Sequence, residues 1–165
     1  MITLYLDMDG VLANFEKRFK EIKSHHPDHI KFRDAVMLHR IFEDLEFMPD
    51  TQELLNHVSK LNKVNIEILT SMGTFDTQRG FEAKTQKIHW LNKHNIPYKA
   101  NFVRTKAEKA RYATPTSILI DDSVGCITPF NIAGGHGILH TKSSETIGIL
   151  DNITSHILAL RALRS

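Results

Sequence analysis

The chain has 165 residues, of which 41% are hydrophobic and 24% are charged, and its formal net charge is +2. This composition is ordinary for a globular domain, no apolar run reaches the length of a membrane span, and the weak charge argues against a surface for a nucleic-acid polymer. The single cysteine cannot form an internal disulfide. A strand pattern that begins at residue 2 leaves no room for a signal peptide. We therefore expect a cytoplasmic protein.

The apolar pattern predicts strands and helices that alternate along most of the chain. The predicted order is a strand at 2–7, helices at 14–23, 30–44 and 51–61, a strand at 64–70, a helix at 78–94, a strand at 101–104, a short helix at 106–113, a strand at 117–121, a helix at 124–133, a strand at 137–140 and a final helix at 151–163. Strands separated by helices pair in parallel, so we expect an α/β fold with a Rossmann-like parallel sheet of about five strands.

Residues 14–49 interrupt this alternation, because they contain two helical stretches and no strand. We interpret them as a small helical cap inserted after the first strand, so that the core domain comprises residues 1–13 and 50–165. Apolar residues at helical spacing predict which helix faces are buried. They are Phe15, Phe19 and Ile22 in the first helix, Ala35, Leu38 and Phe42 in the second, Phe81, Ile88 and Leu91 in helix 78–94, and Ile153, Ile157, Leu160 and Leu163 in the last.

Polar and charged side chains follow the predicted strands at their carboxyl ends. They are Asp7 and Asp9 after the first strand, Thr70 and Ser71 after the second, Asp121 and Asp122 after the fourth, and Lys106, Lys109 and Arg111 on the short helix before the fourth. Ligands of open α/β sheets bind beyond the carboxyl ends of the strands. We therefore expect carboxylates, a hydroxyl group and an amine to converge at one edge of the sheet.

Several acids at one edge predict a bound cation, because like charges repel and an isolated buried carboxylate is costly. Oxygen ligands, completed by water and phosphate, are those that Mg²⁺ prefers. A metal ion, a lysine and a hydroxyl group together can hold a phosphate group. One carboxylate beside it can attack phosphorus while a second protonates the leaving oxygen, which gives Asp7 and Asp9 separate roles.

Four short motifs resemble those of the haloacid dehalogenase-like (HAD) phosphohydrolases. DMDGV at 7–11 resembles the first motif, LTS at 69–71 the second, the lysine of EKARYA at 108–113 the third, and LIDDS at 119–123 the fourth. They occur in the expected order, each on the expected element. The opening DMDGVLANF, the phenylalanine-rich insertion that ends in FEDLEFMPDTQELL, and the two aspartates of LIDDS are similar to the 5'(3')-deoxyribonucleotidase branch.

The resemblance implies a role for each motif residue in catalysis. Asp7 would be the nucleophile that forms an aspartyl-phosphate, and Asp9 would be the general acid and then the general base. Thr70 or Ser71 would hold a phosphate oxygen. Lys109 would neutralise charge on the phosphate and on Asp7.

The resemblance also implies Mg²⁺ as the cofactor. Asp7 would bind the ion through its side chain and Asp9 through its backbone carbonyl. Asp122 is the favoured further direct ligand, because it aligns with the aspartate of the commoner glycine-aspartate form. Asp121 would assist indirectly or take the place of Asp122.

The implied activity is that of a phosphomonoesterase acting on a small molecule, with a (deoxy)nucleoside monophosphate as the leading substrate. Two interpretations of the insertion remain open. Its phenylalanines either form an apolar slot where a base stacks or only pin the insertion to the core. The slot would be formed by Phe15, Phe42 and Phe47 and flanked by Arg33, His39 and Arg40.

Alternative functions keep the same fold. One is the same chemistry on a sugar phosphate or on a polynucleotide end, and another is transfer of the phosphoryl group to an organic acceptor. A third is a non-catalytic module that binds phosphate or a protein partner, since fold does not determine function. The complete set of acids favours an enzyme, because a non-catalytic copy has no need of them.

Three other features have explanations that we favour over catalytic ones. His25, His26 and His29 have a spacing that suits a transition metal, but histidines around a proline are typical of a polar surface turn. Cys126 has no evident base partner, so we expect it to serve packing. Lys106 is the alternative to Lys109 beside the phosphate, and we favour Lys109.

Overall fold

The computed structural model describes residues 1–26, 30–73 and 77–165. Its sheet contains five parallel strands, which are β1 (Ile2–Leu6), β2 (Val64–Ser71), β3 (Lys99–Val103), β4 (Ser117–Asp121) and β5 (His136–Leu139). This confirms the predicted α/β architecture with a Rossmann-like parallel sheet. The predicted turn at Pro27 and the third histidine of the cluster, His29, lie outside the described residues.

The spatial order of the strands, β3-β2-β1-β4-β5, creates a switch point between β1 and β4. The chain moves outward from β1 to β3 on one side and then returns to place β4 and β5 on the other. Both central strands are rich in buried apolar residues, and Leu4, Leu6, Ile118 and Ile120 are each fully buried. In such a sheet, the crevice beyond the carboxyl ends of the strands at the switch point is the expected ligand site.

Helices cover both faces of the sheet. They are α1 (Phe15–His25), α2 (Phe32–Met37), α3 (Thr51–Val58), α4 (Thr77–Lys93), α5 (Val124–Ile132) and α6 (Ser143–Leu163), with 3₁₀ segments at Ile41–Glu43 and Ala107–Tyr112. The side chain of Asn14 caps α1 by accepting a hydrogen bond from the backbone N–H of Lys17 at 3.2 Å. None of the described helices combines the length and the apolarity that crossing a membrane requires.

The helix predicted at 30–44 was wrong in its length. It is divided into α2 and the first 3₁₀ segment, because Arg40 adopts a left-handed conformation with φ of 48° between them. As a result Leu38 is 75% exposed, whereas Phe42 is buried as predicted. The segment is fixed to α4, since the indole N–H of Trp90 donates to the carbonyl oxygen of Leu45 at 2.8 Å.

The predicted buried faces of the two longest helices also need correction. In α4, Phe81 is 67% exposed and Ile88 is 38% exposed, because a different stripe of this helix faces the core, α2 and the first 3₁₀ segment. That stripe comprises Gly80, Ala83, Gln86, Lys87, Trp90 and Leu91. Helix α6 begins at Ser143 and not at residue 151, and of its predicted apolar residues Leu160 and Leu163 are exposed.

Candidate active site

Three carboxylates meet at the switch point. Asp7 follows the last residue of β1, Asp121 is the last residue of β4, and Asp122 follows it. Because β1 and β4 are direct neighbours, one carboxylate oxygen from each of the three residues lies within 4.8 Å of the others. Such a set of hard oxygen atoms is suited to a divalent cation such as Mg²⁺.

A buried lysine bridges two of these acids. The ammonium group of Lys109, a residue only 2% exposed, donates to Asp7 Oδ1 at 2.9 Å and to Asp121 Oδ2 at 2.6 Å. Burial alone would lower the pKa of Lys109, but the two carboxylates outweigh it and raise the pKa above its usual value. The alternative, Lys106, instead donates to the hydroxyl group of Ser123 at 3.2 Å.

The two adjacent aspartates of the fourth motif differ in their surroundings. Asp121 is 1% exposed, and both its oxygens are engaged, since Oδ2 accepts from Lys109 and Oδ1 accepts from the backbone N–H of Ser123 at 2.9 Å. The carboxyl group of Asp122 has a pKa raised to about 6, first by desolvation and then by repulsion from Asp7. A carboxylate destabilised in this way gains most from a bound cation.

Gly10 makes room for Asp122. Its φ is +84°, a conformation that L side chains rarely adopt, and an added Cβ atom would lie 2.0 Å from Asp122 Oδ2. The close approach of the first motif to the fourth therefore requires a residue without a side chain at position 10.

Replacing Gly10 with alanine is expected to lower the free energy of unfolding by about 1–2 kcal/mol, because of the left-handed backbone, and to weaken Mg²⁺ binding by displacing Asp122. Urea denaturation and Mg²⁺ titration by calorimetry measure both effects. The control is Gly148→Ala in α6, where an added Cβ meets no atom within 4 Å. This control should leave Mg²⁺ binding unchanged, and equal Mg²⁺ affinity in both variants would contradict the proposed crowding.

Asp9, the second aspartate of the first motif, is held by a second buried lysine. Its Oδ2 accepts a hydrogen bond from the ammonium group of Lys87 at 3.0 Å. Its Oδ1 is buried and has no hydrogen-bond partner among the residues that the structure describes. Burial raises the pKa of Asp9 above its ordinary value, although the positive charge of Lys87 opposes that effect.

The same lysine contacts both residues of the second motif. Lys87 donates to Thr70 Oγ1 at 2.8 Å and to the carbonyl oxygen of Ser71 at 2.8 Å. Ser71 Oγ in turn donates to the carbonyl oxygen of Arg104 at 3.2 Å. The Thr70 hydroxyl group, which accepts from Lys87, keeps its own hydrogen for another acceptor.

Lys87 was missed in the sequence because it belongs to none of the four motifs. One signal was present. Lys87 shares a helical stripe with Ala83, Trp90 and Leu91, and a lysine in an apolar stripe indicates a buried charge. Its partner Asp9 is 78 positions away in the chain, so the sequence alone does not identify the pairing.

The charges of the site are incompletely balanced by protein groups. The carboxylates are those of Asp7, Asp9, Asp121 and Asp122, and the buried ammonium groups are those of Lys87 and Lys109. When all of these groups are ionised, their net charge is −2, which one divalent cation would balance. The residues therefore fit Mg²⁺ in both donor chemistry and charge.

A cavity of about 490 Å³ opens onto these groups. The motif residues line it, and so do residues that the motifs do not include, among them Asn14, Phe15, Glu16, Met48, Cys126 and His140. Burial raises the pKa of Cys126 to about 12, so its thiol is not ionised at neutral pH and is no nucleophile. Burial lowers the pKa of His140, whose Nδ1 lies 2.7 Å from Thr146 Oγ1.

The structure does not assemble the predicted phenylalanine slot. Phe15 lines the cavity and stacks on Phe42 at 5.5 Å between ring centroids, but Phe42 is only 3% exposed and lies behind it. Phe47 packs instead against Trp90, 5.6 Å away. The predicted flanking residues are also engaged elsewhere: Arg40 pairs with Glu43 and Glu82, Arg33 donates to Gln78, and His39 packs against His26.

Comparison with known proteins identifies the fold. No protein-family model matches the sequence, and no curated protein matches it. A haloacid dehalogenase-like family hydrolase from Xanthomonas campestris is similar with a TM-score of 0.65 at 12% identity, over 97% of this chain and 94% of that chain. A hydrolase from Streptococcus pneumoniae TIGR4 has a TM-score of 0.56 at 15% identity, over 90% of this chain and 97% of that chain. The chain therefore has the parallel-sheet fold of HAD-like hydrolases.

Proposed function

We propose that the protein is a Mg²⁺-dependent phosphomonoesterase that acts through an aspartyl-phosphate on Asp7. The observation that carries this proposal is the position of Asp7 at the switch point, where Lys109 holds one of its oxygens and two further carboxylates lie within 4.8 Å. An aspartate that only ended a strand would need neither a buried lysine nor two neighbouring carboxylates. The arrangement supports a nucleophile next to a cation and a phosphate group.

The chain's own residues supply the nucleophile and the proton transfers. Asp7 Oδ2 attacks phosphorus while the ester P–O bond breaks, and Asp9 gives its proton to the leaving oxygen. Water then attacks phosphorus, its proton passes to Asp9, and the bond between phosphorus and Asp7 breaks. Lys109 fixes Asp7 Oδ1 throughout, so that the other oxygen faces the substrate.

Mg²⁺ would be held by the side chains of Asp7 and Asp122 and by the backbone carbonyl of Asp9. Asp121 supports this set through Lys109 and Ser123, both of which it already contacts. When bound, the ion supplies positive charge that stabilises the transferring phosphoryl group.

Thr70 is the better candidate for the hydroxyl group that holds a phosphate oxygen. It lines the cavity, and because Lys87 donates to its oxygen, its hydroxyl hydrogen is available to the substrate. Ser71 also lines the cavity, but its hydroxyl group donates to Arg104. Lys109 complements this contact by neutralising phosphate charge.

The substrate class that we propose is a nucleoside monophosphate, with deoxyribonucleotides preferred. Residues 14–49 act as a small cap over the site and contribute Asn14, Phe15, Glu16 and Met48 to the cavity. Its volume of about 490 Å³ is in the range of small-molecule sites. A base would pack on the ring of Phe15. Phe42 and Phe47 are not among the residues that line the cavity, so they would not contact the base.

Phosphate release from a panel of phosphomonoesters tests this function. The panel contains deoxyribo- and ribonucleoside 5'- and 3'-monophosphates, sugar phosphates and a 5'-phosphorylated oligonucleotide, each assayed with Mg²⁺ and with EDTA. The proposal predicts Mg²⁺-dependent release led by deoxyribonucleotides and slowed by Phe15→Ala. Release led by another ester would overturn the substrate assignment alone, and no release from any ester would overturn the enzymatic function.

Mg²⁺ binding is expected to weaken as the pH falls below about 6, because that is the pKa to which Asp122 is raised in the metal-free site. Protons then compete with the ion for the same carboxylate, and the apparent dissociation constant should rise about tenfold per pH unit. Calorimetric titration between pH 5 and pH 8 measures the effect. Asp122→Asn is the control, since its residual affinity should lose this pH dependence, and an affinity of the unmodified protein that stays constant over the range would contradict the assignment.

A further inference from the structure

Lys87 is a buried lysine that no motif accounts for. It lies on α4 and is 1% exposed, so its ammonium group is removed from water. An ammonium group can donate three hydrogen bonds, and all three are used, to Asp9 Oδ2, Thr70 Oγ1 and the carbonyl oxygen of Ser71. The aromatic ring of Phe42 lies 4.5 Å from the same nitrogen. These contacts allow the side chain a single position.

Packing alone does not explain a lysine at this place. Ala83, Trp90 and Leu91 of the same stripe are apolar, and an apolar residue of similar volume at position 87 would avoid the cost of burying a charge. The buried Gln86 beside it is neutral and donates to the carbonyl oxygen of Val36 at 2.9 Å. The contacts of Lys87 with Asp9 and Thr70 point instead to the cavity, since both of these residues line it.

We infer that Lys87 is a positioning residue for catalysis, an inference that rests on the proposed phosphatase function. By holding Asp9 Oδ2, Lys87 fixes the orientation of the carboxyl group that gives its proton to the leaving oxygen of the substrate. By donating to Thr70 Oγ1, it also turns the hydroxyl hydrogen toward the phosphate. The two lysines then have separate roles, because Lys109 orients the nucleophile Asp7 and Lys87 orients the general acid Asp9.

Two features of the geometry support this assignment. Asp9 Oδ1 is buried and has no hydrogen-bond partner within the described part of the chain, so there the carboxyl group is held through Oδ2 by Lys87. Within the described residues, Lys87 forms its ion pair with Asp9 at 3.0 Å, whereas Lys109 pairs with Asp7 and Asp121. The two lysines therefore serve different carboxylates.

The test compares two substrates that differ in their need for an acid. An alkyl phosphate has a poor leaving group that must be protonated, whereas p-nitrophenyl phosphate has a good leaving group that departs without help. Lys87→Met should lower kcat/KM for the alkyl phosphate by about a hundredfold or more but lower it for p-nitrophenyl phosphate by less than about tenfold. Lys87→Arg, which keeps the charge and the donors, should recover part of the loss.

The ratio of the two kcat/KM values does not depend on the fraction of folded enzyme, so it separates positioning from stability. The matched control is Lys84→Met, the same substitution on the exposed face of the same helix, which should leave the ratio unchanged. If Lys87→Met does not yield folded protein, the ratio is measured on Lys87→Gln. An unchanged ratio in the variant tested, beside an active unmodified enzyme, would overturn this inference alone.

A double variant tests whether Lys87 acts through Asp9. Asp9→Asn should already lose acid catalysis of the alkyl phosphate, so adding Lys87→Met should lower kcat/KM further by less than about tenfold, the part that passes through Thr70. A further loss as large as the hundredfold expected for Lys87→Met alone would show that Lys87 acts independently of Asp9 and would contradict the inference. An unmodified protein that hydrolyses neither substrate would overturn the proposed function, and the positioning role with it.

Discussion

Replacing Asp7 with asparagine is expected to reduce turnover of any phosphomonoester by roughly a thousandfold or more, because the nucleophilic oxygen is lost. The fold should persist, since the amide oxygen of asparagine can still accept the hydrogen bond from Lys109. Phosphate release by purified protein, with circular dichroism to verify folding, measures the effect.

The control for this variant is Asp44→Asn, which makes the same chemical change at an exposed position paired with Arg18. It should retain full activity. Full activity in purified Asp7→Asn would exclude the covalent mechanism, whatever the substrate.

Replacing Lys109 with methionine is expected to have the largest effect on stability. Lys109 is buried between Asp7 and Asp121, so its removal leaves two carboxylates close together without a cation. Removing one partner of a buried ion pair typically costs about 3–5 kcal/mol of unfolding free energy. Urea denaturation at pH 7 measures the loss, which added Mg²⁺ should partly reverse. Activity should fall as well, because the phosphate loses a neutralising charge.

Lys106→Met is the matched control for Lys109→Met. Its ammonium group is exposed and donates only to Ser123 among the hydrogen bonds found in the described residues, so the unfolding free energy should change by less than about 0.5 kcal/mol. Equal losses in the two variants would contradict the assignment of Lys109 as the lysine of the site.

Much of the sheet was predictable because its strands are short apolar runs bounded by polar residues. The central strand β4 is buried along its whole length and β1 is buried at every second residue, so both sequences are rich in apolar residues. The carboxyl ends of those strands then determine where Asp7 and Asp121 meet. Local pattern and overall topology agree at this point, which explains why the sequence predicts that these two carboxylates lie close together.

The helices were less predictable because their buried faces depend on distant partners. Phe81 and Ile88 gave α4 an apolar face that the structure leaves exposed, since residues 41–45 pack on the stripe that contains Trp90. The helix break at Arg40 could not be predicted, because no glycine or proline stands beside this residue in the sequence. Phe47 was placed with Phe15 and Phe42 because all three are aromatic, but only the fold shows that it contacts Trp90.

The pairing of Lys87 with Asp9 illustrates what the sequence could not provide. The two residues are on different elements, α4 and the loop after β1, and neither spacing nor charge pattern links them. The resemblance to HAD motifs gave a role to Asp9 but none to α4. Only the folded structure shows that Lys87 lies next to Asp9.

The central claim is that Asp7 carries the phosphoryl group, and the most direct measurement is to trap it there. Asp9→Asn is mixed rapidly with p-nitrophenyl phosphate and Mg²⁺, because loss of the base should slow hydrolysis of the aspartyl-phosphate while the good leaving group still departs. Acid quenching and peptide mass spectrometry then locate the phosphoryl group. We predict a burst of p-nitrophenol with phosphorylation of Asp7. A burst with no phosphorylated residue, or with the group on another residue, would contradict the mechanism.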